Sequence, residues 1–206
     1  HPRVRLEAVR ACAGLDQSDA MDIALGALDQ PMDQFLDYAL YLTANDLEST
    51  WLPAFQSGKL TFDRNPKKIE FVLKAIRNPA AIKPLVEEFK AGRATPDLAD
   101  LIGSLGSPED LAVLFNTATA AQSNDFIRIA ALQALDRAAR QRNVKAKADP
   151  APLAALIAGA TDDGVVTAAI RLAGALKLDS ARADIAKAAA QTDHPARNDD
   201  AIDALA

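Results

Sequence analysis

The sequence predicts an all-α fold: a right-handed α-α superhelix of stacked helix pairs, about six pairs plus a partial seventh. Three observations predict it. Apolar residues recur at helical spacing along most of the chain, and no sustained period-2 alternation competes with them. The helical patterns come in twos, each pair headed by a Pro or Asp, on a period of about 30 residues. The first helices also superpose without gaps, because Ala8-Val9, Ala131-Leu132, Ala169-Ile170 and Ala201-Ile202 share one phase.

Val4, Ala8, Ala11, Cys12 and Leu15 follow i, i+4, i+7, i+8, i+11 and mark the first helix. Met21, Ala24, Leu25 and Leu28 mark its partner. The second unit opens near residue 31 with Asp33 as a helix N-terminal acid, and its inner helix carries Trp51, Leu52 and Phe55. In the third, Asn65-Pro66 heads Ile69, Val72, Leu73 and Ile76, while Asn78-Pro79 heads Ile82, Leu85, Val86 and Phe89. Pro84 lies early in that helix, where few intrahelical donors are lost.

Thr95-Pro96-Asp97 heads the fourth unit, over Leu98, Leu101, Ile102 and Leu105. Ser107-Pro108-Glu109-Asp110 then combines a capping hydroxyl, a first-turn Pro and two acids ahead of Leu111, Leu114, Phe115 and Ala118. Asp149-Pro150 precedes Leu153, Leu156, Ile157 and Ala160, and Gly58, Gly92 and Gly106 stand where helices should stop. Units therefore start near residues 1, 31, 64, 95, 124, 162 and 194, in one domain. Counting back seven from the shared Ala lands on His1, Asn124, Asp162 and His194, and Arg5 then coincides with Arg128. Two segments break the rhythm, 56–65 and the basic stretch 140–149; both read as solvated connections of the sort that can also bind partners.

The chain has 206 residues, 50% hydrophobic content, enough for a sizeable core, and a net charge of −5, which argues against a general nucleic-acid binder. Cys12 is the only cysteine, so an internal disulfide, a multi-thiolate zinc site and a C-x-x-C-H haem attachment are excluded. No apolar stretch approaches a membrane span, and no Gly-rich phosphate loop, H-E-x-x-H or EF-hand spacing occurs. Catalytic, cofactor-binding and metal residues are accordingly expected to be none. The ends fall inside repeats, so the chain is expected to be a stretch of a longer protein, with the half unit at 194–206 stacked on a neighbouring domain.

The candidate interaction residues are Asp33, Asp37, Tyr38, Trp51, Arg64, Lys67, Lys68 and Lys74. Asp33 and Asp37 lie one turn apart, with Tyr38 and Asp46 nearby, and could hold a cation or a partner. The commoner use is structural: Asp33 favoured by the helix dipole, Asp37 paired with Arg5 of the preceding repeat. Trp51 is read as core, with a binding hot spot as the alternative. Cys12, on an apolar stripe far from a histidine base, is read as a buried thiol.

Arg64, Lys67, Lys68 and Lys74 belong to a basic stretch from Lys59 to Arg93 that also holds Arg77, Lys83 and Lys90; Arg137, Arg140, Arg142, Lys145 and Lys147 form a second. Both read as solvated faces, or else as steering for an acidic partner. His194 reads as a repeat-start residue like His1.

The Asp-x-x-x-Arg-x-x-Ala pattern (Asn124 replacing Asp in one unit) and the run Asn78 to Leu85 resemble HEAT/ARM-like repeats of the phycobilisome-lyase-like type. Residues His1 to Arg10, Ala24-Leu25, Ala27-Leu28, Pro31-Met32-Asp33, Leu36-Asp37-Tyr38, Thr43, Leu47 and Trp51 are similar to the HEAT segment of bacterial membrane-bound dehydrogenase-domain haem proteins. In that family a β-propeller precedes the segment and a cytochrome c domain follows it. The resemblance implies an exported, periplasmic, multidomain protein in which this chain is a non-catalytic helical scaffold. Its partner would be the propeller or cytochrome c domain, or another protein. Haem c and any oxidoreductase activity would lie in the parent outside this chain. Two alternatives share the fold, a HEAT-like alkylpurine DNA glycosylase and a chromophore-lyase-type adaptor. The first needs a basic, aromatic groove that the net charge disfavours; the second needs a tetrapyrrole partner.

Overall fold

The computed structural model describes residues 1–76, 78–190 and 195–205, without the side chains of 79, 80, 189 and 195–198. Among the described residues it is all-helical, with no strand. His194 and Arg77 lie outside them. The chain divides into two compact units, His1–Pro84 and Leu85–Ala206.

The first unit holds α1 (Pro2–Cys12), α2 (Ala20–Leu25), α3 (Gln34–Asp46), α4 (Glu48–Gln56), α5 (Pro66–Ile76) and the first residues of α6 (Lys83–Lys90). Within it α1 packs on α2 and α3, and α3 packs on α5. The second unit holds the rest of α6, then α7 (Pro96–Leu105), α8 (Pro108–Thr119), α9 (Asp125–Arg142), α10 (Ala151–Gly159), α11 (Asp163–Leu176), α12 (Arg182–Ala189) and α13 (Pro195–Leu205). Here α7 packs on α9, α9 on α11 and α11 on α13, while α8, α10 and α12 each pack on the odd-numbered helix that follows. In each unit, then, every second helix is a spatial neighbour.

Local chemistry sets the boundaries. His1, Asn124 and Asp162 each place a side-chain acceptor on an amide of the first turn of α1, α9 and α11, so the recurring unit start is an N-cap. Thr95 caps α7, and Ser107 with Asp110 forms a complete capping box on α8. Gly58 and Gly92, at φ 73 and 80, take the left-handed conformation that stops α4 and α6.

The two irregular segments are fasteners. In 56–65 the residues Phe62, Asp63 and Arg64 all have positive φ, a conformation that β-carbon sterics disfavour. Burial holds it: Phe62 is 1% exposed and its ring lies 5.6 Å from those of both Trp51 and Phe55. In 140–149 the helix α9 continues to Arg142, whose guanidinium donates to the carbonyls of Gly103 (2.6 Å) and Gly106 (2.8 Å) at the end of α7. Lys147 donates its amide to the Pro108 carbonyl at 2.8 Å.

One expectation is redrawn on burial. The stripe Val4, Ala8, Ala11, Cys12, Leu15 does not face a core as a set, and α1 ends at Cys12, leaving Leu15 beyond the helix. Cys12 is buried, but Val4 and Leu15 are 68% and 44% exposed and Ala8 and Ala11 are also exposed.

Candidate functional site

The side of α1 and α3 facing away from the core opens as a groove of about 420 Å³. Leu6, Arg10 and Ala13 form one wall, and Phe35, Tyr38, Leu42 and Asp46 the other. The floor is closed by Ala39 and Thr43, whose hydroxyl donates to the Val9 carbonyl at 3.4 Å and ties the two helices together.

The wall on α3 follows from spacing. Leu36, Ala39, Leu40 and Thr43 turn inward, while Phe35, Tyr38 and Leu42 at i, i+3, i+7 form a second stripe on the rim. That stripe is solvated: Phe35 is 66%, Tyr38 62% and Leu42 41% exposed. Tyr38 also stacks on Tyr41, with ring centres 6.3 Å apart and planes at 14°. Arg10, paired with Glu7 at 3.2 Å, and Asp46 place one charge of each sign beside apolar walls. Such a groove can hold apolar or aromatic side chains of another molecule.

Tyr38 lines this wall, whereas Asp33 does not. Asp33 is the N-cap of α3, accepting from the amides of Phe35 (3.0 Å) and Leu36 (2.9 Å), which points its carboxylate into the helix end. Asp37 is exposed. Its expected partner Arg5 instead leaves Nη1 buried without a hydrogen-bond partner. Among the described residues no group of three or more His, Cys, Asp or Glu is arranged to hold a metal ion.

Trp51 lies apart from the groove, fully buried, with Nε1 donating to the Ala44 carbonyl at 2.8 Å; a partner cannot reach it. Lys68 is likewise inside, 8% exposed and bonded to Asp22 (2.8 Å) and Asp63 (3.1 Å). The neighbouring Lys67 caps the Leu28 carbonyl at 2.6 Å, and Lys74 pairs with Glu70. Arg64 is exposed within the left-handed turn. The basic stretch is therefore largely engaged by the protein's own carbonyls and carboxylates. Cys12 is buried, and burial pushes its thiol pKa up, away from a nucleophilic thiolate.

A second, polar cleft of about 300 Å³ lies between α9 and α11, lined by Gln133, Asp136, Arg137, Ala168 and Arg171. Its charges are answered within and across helices: Asp136 pairs with Arg140 inside α9 (2.7 Å), Arg137 pairs with Asp100 of α7, Arg140 donates to the Arg171 carbonyl of α11 (3.2 Å), and Arg171 pairs with Asp200 of α13 (2.8 Å). These links join α7, α9, α11 and α13.

Sequence reasoning picked Tyr38 but passed over Phe35 and Leu42. The signal was present, since a helix with two apolar stripes carries more than its core requires. Comparison of the chain with protein-family models, curated proteins and solved structures finds no match.

Proposed function

We propose that this chain is a non-catalytic protein-interaction scaffold that receives a partner's apolar side chains in the α1–α3 groove. The supporting observation is the solvated stripe of Phe35, Tyr38 and Leu42 on the groove rim. Large apolar side chains gathered beside a concavity mark interaction sites more than scattered ones do, and Tyr is enriched among residues that carry binding energy. The resemblance to the HEAT segment of exported haem and dehydrogenase-like proteins supplies the context: an interdomain connector whose partner is a propeller or a cytochrome c domain. No observation favours the glycosylase reading, because Lys67, Lys68, Lys74 and Arg142 are turned to internal partners.

A photo-reactive phenylalanine placed at Tyr38, with a control at exposed Lys187 on α12, tests this in cells making the full parent protein. The expected result is an adduct from position 38 alone, mapping to a propeller or cytochrome c domain. Equal labelling from both positions overturns the groove. Labelling confined to position 38 but on an unrelated protein keeps the scaffold and removes the connector.

A further inference from the structure

Helix α9 carries a stripe that its core does not use. Phe126, Ala130, Gln133 and Arg137 recur at i, i+4, i+7 and i+11, and so fall on one side of the helix. Phe126 is 68% exposed, Gln133 and Arg137 are exposed, and Ala130 between them is small and half-buried. The core residues of α9, from Ala131 to Ala138, lie elsewhere around its circumference. Packing does not explain the stripe. It runs into the polar cleft between α9 and α11, whose lining includes Gln133 and Arg137.

Hydrogen-bonding groups in that cleft are unbalanced. Arg137 gives one N–H to Asp100, and Arg171 gives its Nε–H to Asp200 at 2.8 Å. The remaining donors of both guanidiniums, and the Gln133 carboxamide, have no side-chain partner among the described residues. On the acceptor side, Asp136 is the one carboxylate of the lining, and Arg140 already holds it at 2.7 Å. Donors therefore outnumber acceptors. The group that corrects this is a planar pair of oxygens, which guanidiniums bind with paired hydrogen bonds. Arg137 and Arg171 are 45% and 52% exposed, so their present ion pairs are of the weak, solvent-screened kind and leave room for a further oxygen.

Three observations narrow the ligand. Asp136 in the lining repels a phosphate dianion more than a single carboxylate, and Asp100 and Asp200 already seat carboxylates against these same guanidiniums. A volume of about 300 Å³ suits one side chain with a short stretch of backbone, rather than a helix. Phe126 then sets a length. It lies about 10–17 Å along α9 from Gln133 and Arg137. An extended chain covers that distance in about three to five residues.

We propose that the α9 stripe and the α9–α11 cleft form a binding site for an extended acidic peptide segment. Arg137 and Arg171 clasp its carboxylate, the Gln133 carboxamide bonds the adjoining peptide group, and Phe126 packs on an apolar residue a few positions away. The site belongs to the second compact unit and the α1–α3 groove to the first, so this inference does not rest on the groove. The net charge of −5 sharpens the test, because the chain as a whole repels an acidic peptide and binding has to come from a local site.

The probe is the blocked peptide acetyl-Leu-Gly-Ser-Gly-Glu-Gly-Ser-Gly-Leu-amide, with a leucine on either side of the glutamate so that it fits in either direction. Titrated into the isotope-labelled full chain, it is expected to shift the NMR signals of the Gln133 side-chain amide and the Arg137 Nε–H. Replacing its glutamate by glutamine is expected to weaken binding about tenfold or more, as is Arg137→Gln in the protein, since each removes a charge-assisted hydrogen bond. Gln133→Ala and Phe126→Ser are each expected to lower affinity several-fold with the melting temperature unchanged, because both side chains are exposed. Silence of these signals throughout the titration overturns the proposal. Equal binding of the glutamine peptide does so too, as does phosphate binding as tightly as the peptide, the mark of a general anion patch. Affinity indifferent to both Gln133→Ala and Phe126→Ser is equally fatal.

Discussion

Trp51, Phe55 and Phe62 show how single residues decide what is structure and what is surface. The three rings lie 5.6–6.4 Å apart, in edge-on and tilted arrangements that aromatic quadrupoles favour. Trp51→Ala removes the largest of them and the Nε1 bond to Ala44, and should cost about 3–5 kcal/mol, measurable by urea denaturation. Tyr38→Ser, on the exposed rim, should change stability by no more than about 0.5 kcal/mol while abolishing cross-linking from a photo-reactive residue placed instead at Leu42 of the same wall. Lys68 carries a pH signature. Burial opposes its charge, but hydrogen bonds and charges from Asp22 and Asp63 outweigh that, so its pKa stands above the ordinary lysine value of 10.5. A raised lysine pKa stabilises fully below the unfolded value and loses that contribution as pH rises through the folded one. Lys68→Met should therefore cost about 1–3 kcal/mol near neutral pH. The gap in melting temperature to the wild type should hold up to about pH 10 and narrow above it; a gap that widens there would count against the pairing.

Helices and connections have their own logic. The α7–α9 contact rests on a glycine: Gly103→Val would drive its β-carbon to 2.8 Å from that of Ala134 and 2.9 Å from its carbonyl oxygen. Overpacking there should cost about 1–3 kcal/mol or more by chemical denaturation. The capping box of α8 is a smaller, separable term, and Ser107→Ala should cost about 1 kcal/mol. The two irregular segments read as solvated connections in the sequence, since both are polar and lack periodicity. The structure instead uses 56–65 to plant Phe62 between Trp51 and Phe55, and the end of α9 to satisfy the last carbonyls of α7 through Arg142. Those carbonyls belong to an element about 39 residues away in sequence, so no local pattern reveals the link.

Across the whole chain, the row of equivalent positions Val9, Leu132, Ile170 and Ile202 is the clearest test of which faces are covered. Replacing each by Asp should strongly destabilise the protein at the first three, where a charge would be buried, and change stability little at Ile202, which is 58% exposed. Thermal melts of the four variants check this directly. None of the described helices is long and apolar enough to cross a membrane. The amino-acid sequence by itself determined the helices, their recurrence in pairs and their caps, because periodicity, Pro, Gly and capping side chains act over a few residues. His1, Asn124 and Asp162 were legible as unit starts and are N-caps for that reason. Tertiary structure alone decided which apolar stripes are covered. Val4 and Ala8 follow the same spacing as Val165 and Ala169, yet one pair is solvated and the other is fully buried. Hydrophobic spacing states what a face can bury, whereas burial itself depends on whether a neighbouring helix is there to meet it.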